Sequence, residues 1–146
     1  MKRTTVYATS FFAVSLSVAA LGIGAAFDSP RTLMSRADYS AARKSIDAET
    51  RMAFAPCRTE TGGARDICKA EARAAERIKL ADLQARYLGT VAAADDARAA
   101  RARGHFDVAK AHCVVQAGDA MRSECLRSAR DDRSREMAEA KKLAAT

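Results

Sequence analysis

The chain has 146 residues, a formal net charge of +7 and no tryptophan. That length holds one small domain. Five phenylalanines and three tyrosines leave too few aromatic platforms for stacking single-stranded bases, so no nucleic-acid partner is expected.

In chain order, Lys2 and Arg3 precede an uncharged apolar run from Phe11 through Ile23, and Gly24-Ala25-Ala26 closes it with small residues. This is the layout of a secretory signal peptide over residues 1–26, with cleavage after Ala26 or Ala25. The rival reading is an uncleaved inner-membrane anchor, because Thr4 to Phe27 is free of charge over about the 20 residues that a span requires. No cysteine stands near this exit, so there is no lipid-attachment site. Export into the periplasm is the expectation. In an oxidising compartment an even number of cysteines reads as disulfides, whereas in the cytosol it suggests metal or redox chemistry.

Residues 27–34 form a short polar entry, and 35–146 read as one all-α domain made of two helix–turn–helix units, 35–88 and 91–143. Ser35 is placed to cap the first helix, with Asp38 three residues on. Tyr39, Ala42, Ile46, Ala53 and Cys57 recur at three- and four-residue steps as a thin apolar stripe. Pro56 lacks an N–H and crowds the preceding turn, which predicts an end or kink near Phe54.

Gly62-Gly63 predicts the first turn, with Asp66 in the opening turn of the second helix. Ile67, Ala70, Ala74, Ile78, Ala81, Ala85 and Leu88 then form one face, while Leu80, Leu83 and Tyr87 lie nearly opposite. A helix apolar on two faces needs cover on both, from neighbouring helices or from another chain. Self-association or an envelope protein partner is therefore an expectation.

Gly89-Thr90 predicts a break with Thr90 as cap. The third helix carries a heptad seam at Ala99, Ala102, Phe106, Ala109 and Cys113, interrupted by Gly104 at a cost of about 1 kcal/mol relative to alanine. Gly118-Asp119 turns the chain into a last, mostly charged helix, Ala120 to Leu143. An Asp131–Arg135 pair is expected to support that helix locally. No strand pattern is present. The hairpins pack either as an extended array or as a small bundle.

The two units also read as a weak internal repeat. Residues 52–57, Met-Ala-Phe-Ala-Pro-Cys, align with 108–113, Val-Ala-Lys-Ala-His-Cys, and Arg65, Cys68, Ala72 and Arg73 align with Arg122, Cys125, Ala129 and Arg130. Met34-Ser35 with Tyr39, the block from Gly62 to Arg73, and Phe106 to Lys110 resemble a family of uncharacterised small exported proteins of Gram-negative bacteria. These are rich in alanine and lysine or arginine and repeat cysteine-bracketed helical turns. The second unit departs from the pattern with Met121-Arg122-Ser123-Glu124 before Cys125. The resemblance implies a helical exported protein and carries no activity.

Four cysteines allow three pairings. Local pairing, Cys57–Cys68 and Cys113–Cys125, puts each bridge across a hairpin turn, where two antiparallel helices bring α-carbons within the needed 4.4–6.8 Å or so. The rival has both cysteines of a pair on one helix, bonding across to the other pair, which would place Gly62-Gly63 inside a helix.

Other candidate chemistry weighs against catalysis. The cysteine spacings lack the two-residue separation at a helix start that marks thiol oxidoreductases. His105 and His112 lie seven residues apart, about 10 Å along a helix, too far to share one zinc at about 2 Å. Asp95-Asp96 and Asp131-Asp132 are adjacent and point to different faces, and no nucleophile turn or phosphate loop occurs. No catalytic, cofactor or metal residue is therefore assigned. The densest basic stretch is Arg98, Arg101 and Arg103, with Asp95 and Asp96 just upstream. Acidic residues are mixed among the basic ones throughout, as on solvated helix faces. The expected function is a non-enzymatic periplasmic protein with an interaction or structural role in the envelope. The alternative is a basic module for anionic lipid or polysaccharide.

Overall fold

The computed structural model describes residues 33–144, so the stretch read as a signal peptide and its expected cleavage point lie outside the described residues. Four α-helices follow in order: α1 (Arg36–Phe54), α2 (Gly62–Leu88), α3 (Val91–Val114) and α4 (Asp119–Ala144). A single 3₁₀ turn, Pro56–Arg58, stands between α1 and α2, and no strand occurs among the described residues. The fold is all-α.

Local chemistry sets the boundaries. The Ser35 hydroxyl accepts from the Asp38 N–H at 3.1 Å, satisfying an orphan donor of the first turn. Pro56 ends α1 at Phe54 and opens the 3₁₀ turn. Gly89 closes α2 with φ of 62°, a left-handed conformation that glycine adopts without a Cβ penalty. Its N–H bonds the Ala85 carbonyl at 2.9 Å. Thr90 Oγ1 then accepts from the Ala93 N–H at 3.2 Å and starts α3. Two residues separate the helices, so the chain reverses within one turn.

All three adjacent helix pairs are antiparallel. Glu49 meets Lys79 and Tyr39 meets Tyr87 between α1 and α2. Arg77 meets Asp107 and Asp82 meets Arg101 between α2 and α3. His105 meets Glu136 between α3 and α4. Among the described residues each helix packs only against its neighbours in the chain. The result is an open array rather than a closed bundle.

The two-faced pattern on α2 is covered from within the chain. Tyr87 stacks on Tyr39 of α1 with ring centroids 4.5 Å apart, and the Tyr39 hydroxyl donates to Gln84 Oε1 at 2.8 Å. On the opposite face Ala74 and Ile78 meet α3 at Gly104. Leu83, with 0 % of its surface exposed, is the largest fully buried side chain. Around it the core is thin, built of Ile46 and alanines such as Ala72, Ala97 and Ala102.

Gly104 is buried where α3 faces Ile78 and Ala74 of α2. A Cβ there would sit 2.8 Å from Ile78 Cδ1 and 3.2 Å from its Cγ1. The intrinsic cost of glycine in a helix is thus exchanged for a tight helix crossing.

Several local expectations are corrected. The α1 stripe runs through Ile46, Thr50 and Phe54, while Ala53 is exposed, because the 3₁₀ turn rotates the chain before Cys57. Helix α2 begins at Gly62, so the turn lies at Thr59–Thr61 and Asp66 falls beyond the first turn. Leu88, at the end of the long α2 stripe, is 43 % exposed because α2 stops there. Arg135 pairs with Asp132, three residues away, rather than with Asp131.

Candidate functional site

The four cysteines form two bridges, Cys57–Cys68 and Cys113–Cys125, each with α-carbons 5.5 Å apart. Cys57 sits in the 3₁₀ turn and Cys68 near the start of α2; Cys113 ends α3 and Cys125 lies in the second turn of α4. Because α2 and α3 are antiparallel, both bridges stand at the same end of the array. Val115, just after Cys113, lies over Gly63, where a Cβ would meet its Cγ1 at 2.2 Å. Cys57 and Cys113 are among the most deeply buried side chains. The bridges close adjacent turns, each with one deeply buried and one partly exposed cysteine.

The two histidines turn to different neighbours. His105 Nδ1 lies 3.0 Å from Glu136 on α4, and His112 Nε2 lies 3.5 Å from Glu71 on α2. Among the described residues no group of three or more His, Cys, Asp or Glu side chains gathers where a metal ion could be held. Asp95 pairs with Arg98 and Asp132 with Arg135, each within its own helix.

The basic stretch is divided by the fold. Arg103 points to solvent, while Arg98 and Arg101 line a groove of about 740 Å³ between α1 and α3, with α2 as its floor. The groove arises from one stripe per helix. Ala42, Ser45, Ile46 and Glu49 on α1 share their offsets with Ala94, Ala97, Arg98 and Arg101 on α3, the i, i+3, i+4, i+7 spacing of a single helix face. From α2 come Lys79, Asp82 and Arg86. Four cations and two carboxylates therefore gather over an apolar lining.

Most of these charges are paired across helices. Lys79 Nζ bonds Glu49 Oε2 at 2.7 Å, and Ser45 Oγ donates to Glu49 Oε1 at 3.1 Å. The Lys79 bond first, and the Ser45 bond second, hold the Glu49 carboxyl below the ordinary glutamate value. Arg101 Nη2 bonds Asp82 Oδ1 at 2.8 Å. Arg98 uses Nη2 on Asp95, but its Nε is buried with no acceptor among the described residues. Arg86 makes no ion pair there. Only Arg98 and Arg101 of this set stood out in the sequence. Lys79, Asp82 and Arg86 share one face of α2 and Glu49 lies on α1, and only tertiary packing brings these faces together with that of α3.

Among the described residues no helix is long and apolar enough to cross a membrane. No protein-family model, curated protein or solved structure matches the chain.

Proposed function

We propose that this is a non-enzymatic, exported interaction protein of the bacterial envelope, acting in the periplasm as a stapled helical array. The observation that carries this reading is the open arrangement of the helices. Each packs only on its chain neighbours, so α1 and α4 each keep a broad face uncovered, as stacked helical repeats do when they bind partners. Two disulfides in an alanine-rich core suit an oxidising compartment. The signal-like N-terminus and the resemblance to small exported proteins with cysteine-bracketed turns support the same assignment. The two hairpins are then diverged copies of one stapled unit.

The test is mild cross-linking in intact cells, followed by purification of the tagged protein from the envelope fraction. A discrete cross-linked species, either a second copy or one envelope protein, is the expected result. Recovery from the cytosol with reduced cysteines would overturn the proposal.

A second reading, a basic module for anionic lipid or polysaccharide, is favoured by one observation: four cations gathered in the groove between α1 and α3. It predicts binding to anionic vesicles that weakens steeply with salt. Binding insensitive to salt would remove it.

A further inference from the structure

In the groove between α1 and α3, Lys79 and Arg101 are already bonded to carboxylates of the same lining. Arg103 turns elsewhere. It lies three residues before Phe106, and Lys110 lies four after, so all three share one face of α3. The Arg133 guanidinium of α4 sits over the Phe106 ring at 5.2 Å, which brings that face beside a flank of α4. Along this flank Arg130, Arg133, Ser134, Met137, Ala138 and Lys141 line an open depression that contains no carboxylate. Asp132, Glu136 and Glu139 gather instead on the flank toward His105. Arg103, Lys110, Arg130 and Lys141 are exposed and make no ion pair among the described residues. Asp107, next to Phe106, is held by Arg77. We propose that the face of the α3–α4 hairpin bearing Arg103, Lys110, Arg130, Arg133 and Lys141 docks on the surface of an anionic phospholipid bilayer.

The register of the hairpin spreads these charges over a plane. The Phe106–Arg133 and His105–Glu136 contacts join antiparallel helices, so Lys110 stands level with Arg130, and Arg103 level with Met137. From Arg130 to Lys141 the face runs about 16 Å along α4 at 1.5 Å or so per residue. A flat array of unpaired cations complements a layer of phosphate headgroups, where each lysine or arginine adds to the attraction without a fixed partner. Three of the five are arginines, whose paired donors suit phosphate oxygens. Met137, half-buried between them, adds an apolar contact at headgroup depth. A partner helix fits less well, because such a helix needs a run of apolar anchors, and here Arg133 covers the Phe106 ring. The inference rests on the second reading above for its ligand class, commits it to lipid and moves it from the groove to this face.

The experiment is co-sedimentation of the full chain with vesicles of mixed phosphatidylglycerol and phosphatidylcholine, and with vesicles of phosphatidylcholine alone as reference. The uncharged run from Thr4 to Phe27 is common to every variant, so the ratio of the two partition coefficients reports the charged face. The expected ratio is about tenfold or more at low salt and falls toward one as salt is added. Replacing Arg103, Lys110, Arg130 and Lys141 together by glutamine should remove most of it. These side chains are exposed and unpaired, and circular dichroism and the thermal midpoint check that the fold is kept. Should the midpoint fall, the four single replacements are read instead, each lowering the ratio about twofold. A charge-matched control replaces Arg36, Arg43, Lys44 and Arg51 of α1 by glutamine and should retain most of the ratio. Equal losses in the two variants would overturn the face and leave the surface reading standing, as attraction by net charge alone. A ratio near one for the unmodified protein would also overturn the face. In that event salt-sensitive binding to polygalacturonate leaves the surface reading standing for polysaccharide, and no binding there removes both.

Discussion

The two hairpins carry the same staple on different foundations. Both bridges span 5.5 Å between α-carbons and close loops of nearly equal length, with sequence separations of 11 and 12. In the first hairpin α1 lies on α2 through Ile46, Leu83 and the Tyr39–Tyr87 stack. In the second, the buried side chains away from the bridge include Ala102 of α3 and Ala129 and Ala140 of α4, with Arg133 over the Phe106 ring at 5.2 Å. Burial of large side chains contributes about 1.5–3 kcal/mol each, and alanine much less. A bridge across about a dozen residues contributes on the order of 3 kcal/mol in the chain-entropy model, whatever it closes. The same covalent link is therefore a supplement to the first hairpin and a principal support of the second.

The largest expected effect comes from removing the side chain that anchors the first hairpin. Leu83→Ala should cost about 2–5 kcal/mol, read as a lower midpoint in urea, because Leu83 is fully buried and its loss leaves a cavity. A loss below 1 kcal/mol would mean that the first hairpin owes its stability to its staple as well, and the contrast would vanish.

Removing the bridges one at a time sharpens the comparison directly. Replacing Cys113 and Cys125 by alanine should cost about 3 kcal/mol and raise amide exchange throughout α4. The Cys57/Cys68 double replacement should leave α2 protected, because α3 still covers it. Non-reducing peptide mapping of the unmodified protein should join Cys57 to Cys68 and Cys113 to Cys125. Helix signal in circular dichroism should outlast the fall in thermal stability on reduction, since alanine-rich segments keep their local propensity.

At the seam between the hairpins, Gly104→Leu should cost about 1–3 kcal/mol by forcing Ile78 away from α3. Gly104→Ala should fall close to neutral, the helix-propensity gain of about 1 kcal/mol offsetting a smaller displacement of Ile78. A clearly stabilised Gly104→Leu variant would show that the helices do not need their close approach.

The smallest effect is a pH dependence specific to the first hairpin. The Lys79 and Ser45 hydrogen bonds lower the folded-state pKa of Glu49. A lowered carboxyl contributes stability above its unfolded value and loses it as pH falls through the folded value. Glu49→Gln should thus flatten the acid limb of the stability profile slightly. Equal acid limbs in the two proteins would show that this exposed pair contributes nothing.

Most helix boundaries, the start of α2 at Gly62 excepted, and the two staples were legible in the sequence because their causes are local. Ser35 caps within three residues, Pro56 removes a donor from its own turn, and Gly89-Thr90 ends one helix and starts the next. Each cysteine pair brackets its own turn, so its closure depends on a dozen residues only. The double apolar face of α2 was equally plain, but not what covered it, since cover from α1 and α3 and cover from another chain satisfy the same pattern. Tertiary packing decided that. It also converted Gly104 from a weakness in a helix into the point where two helices cross, and separated Arg103 from Arg98 and Arg101. Residues as distant as Glu49, Arg86 and Arg98 meet only because antiparallel packing aligns their stripes, a register that hydrophobic spacing within any one helix does not encode.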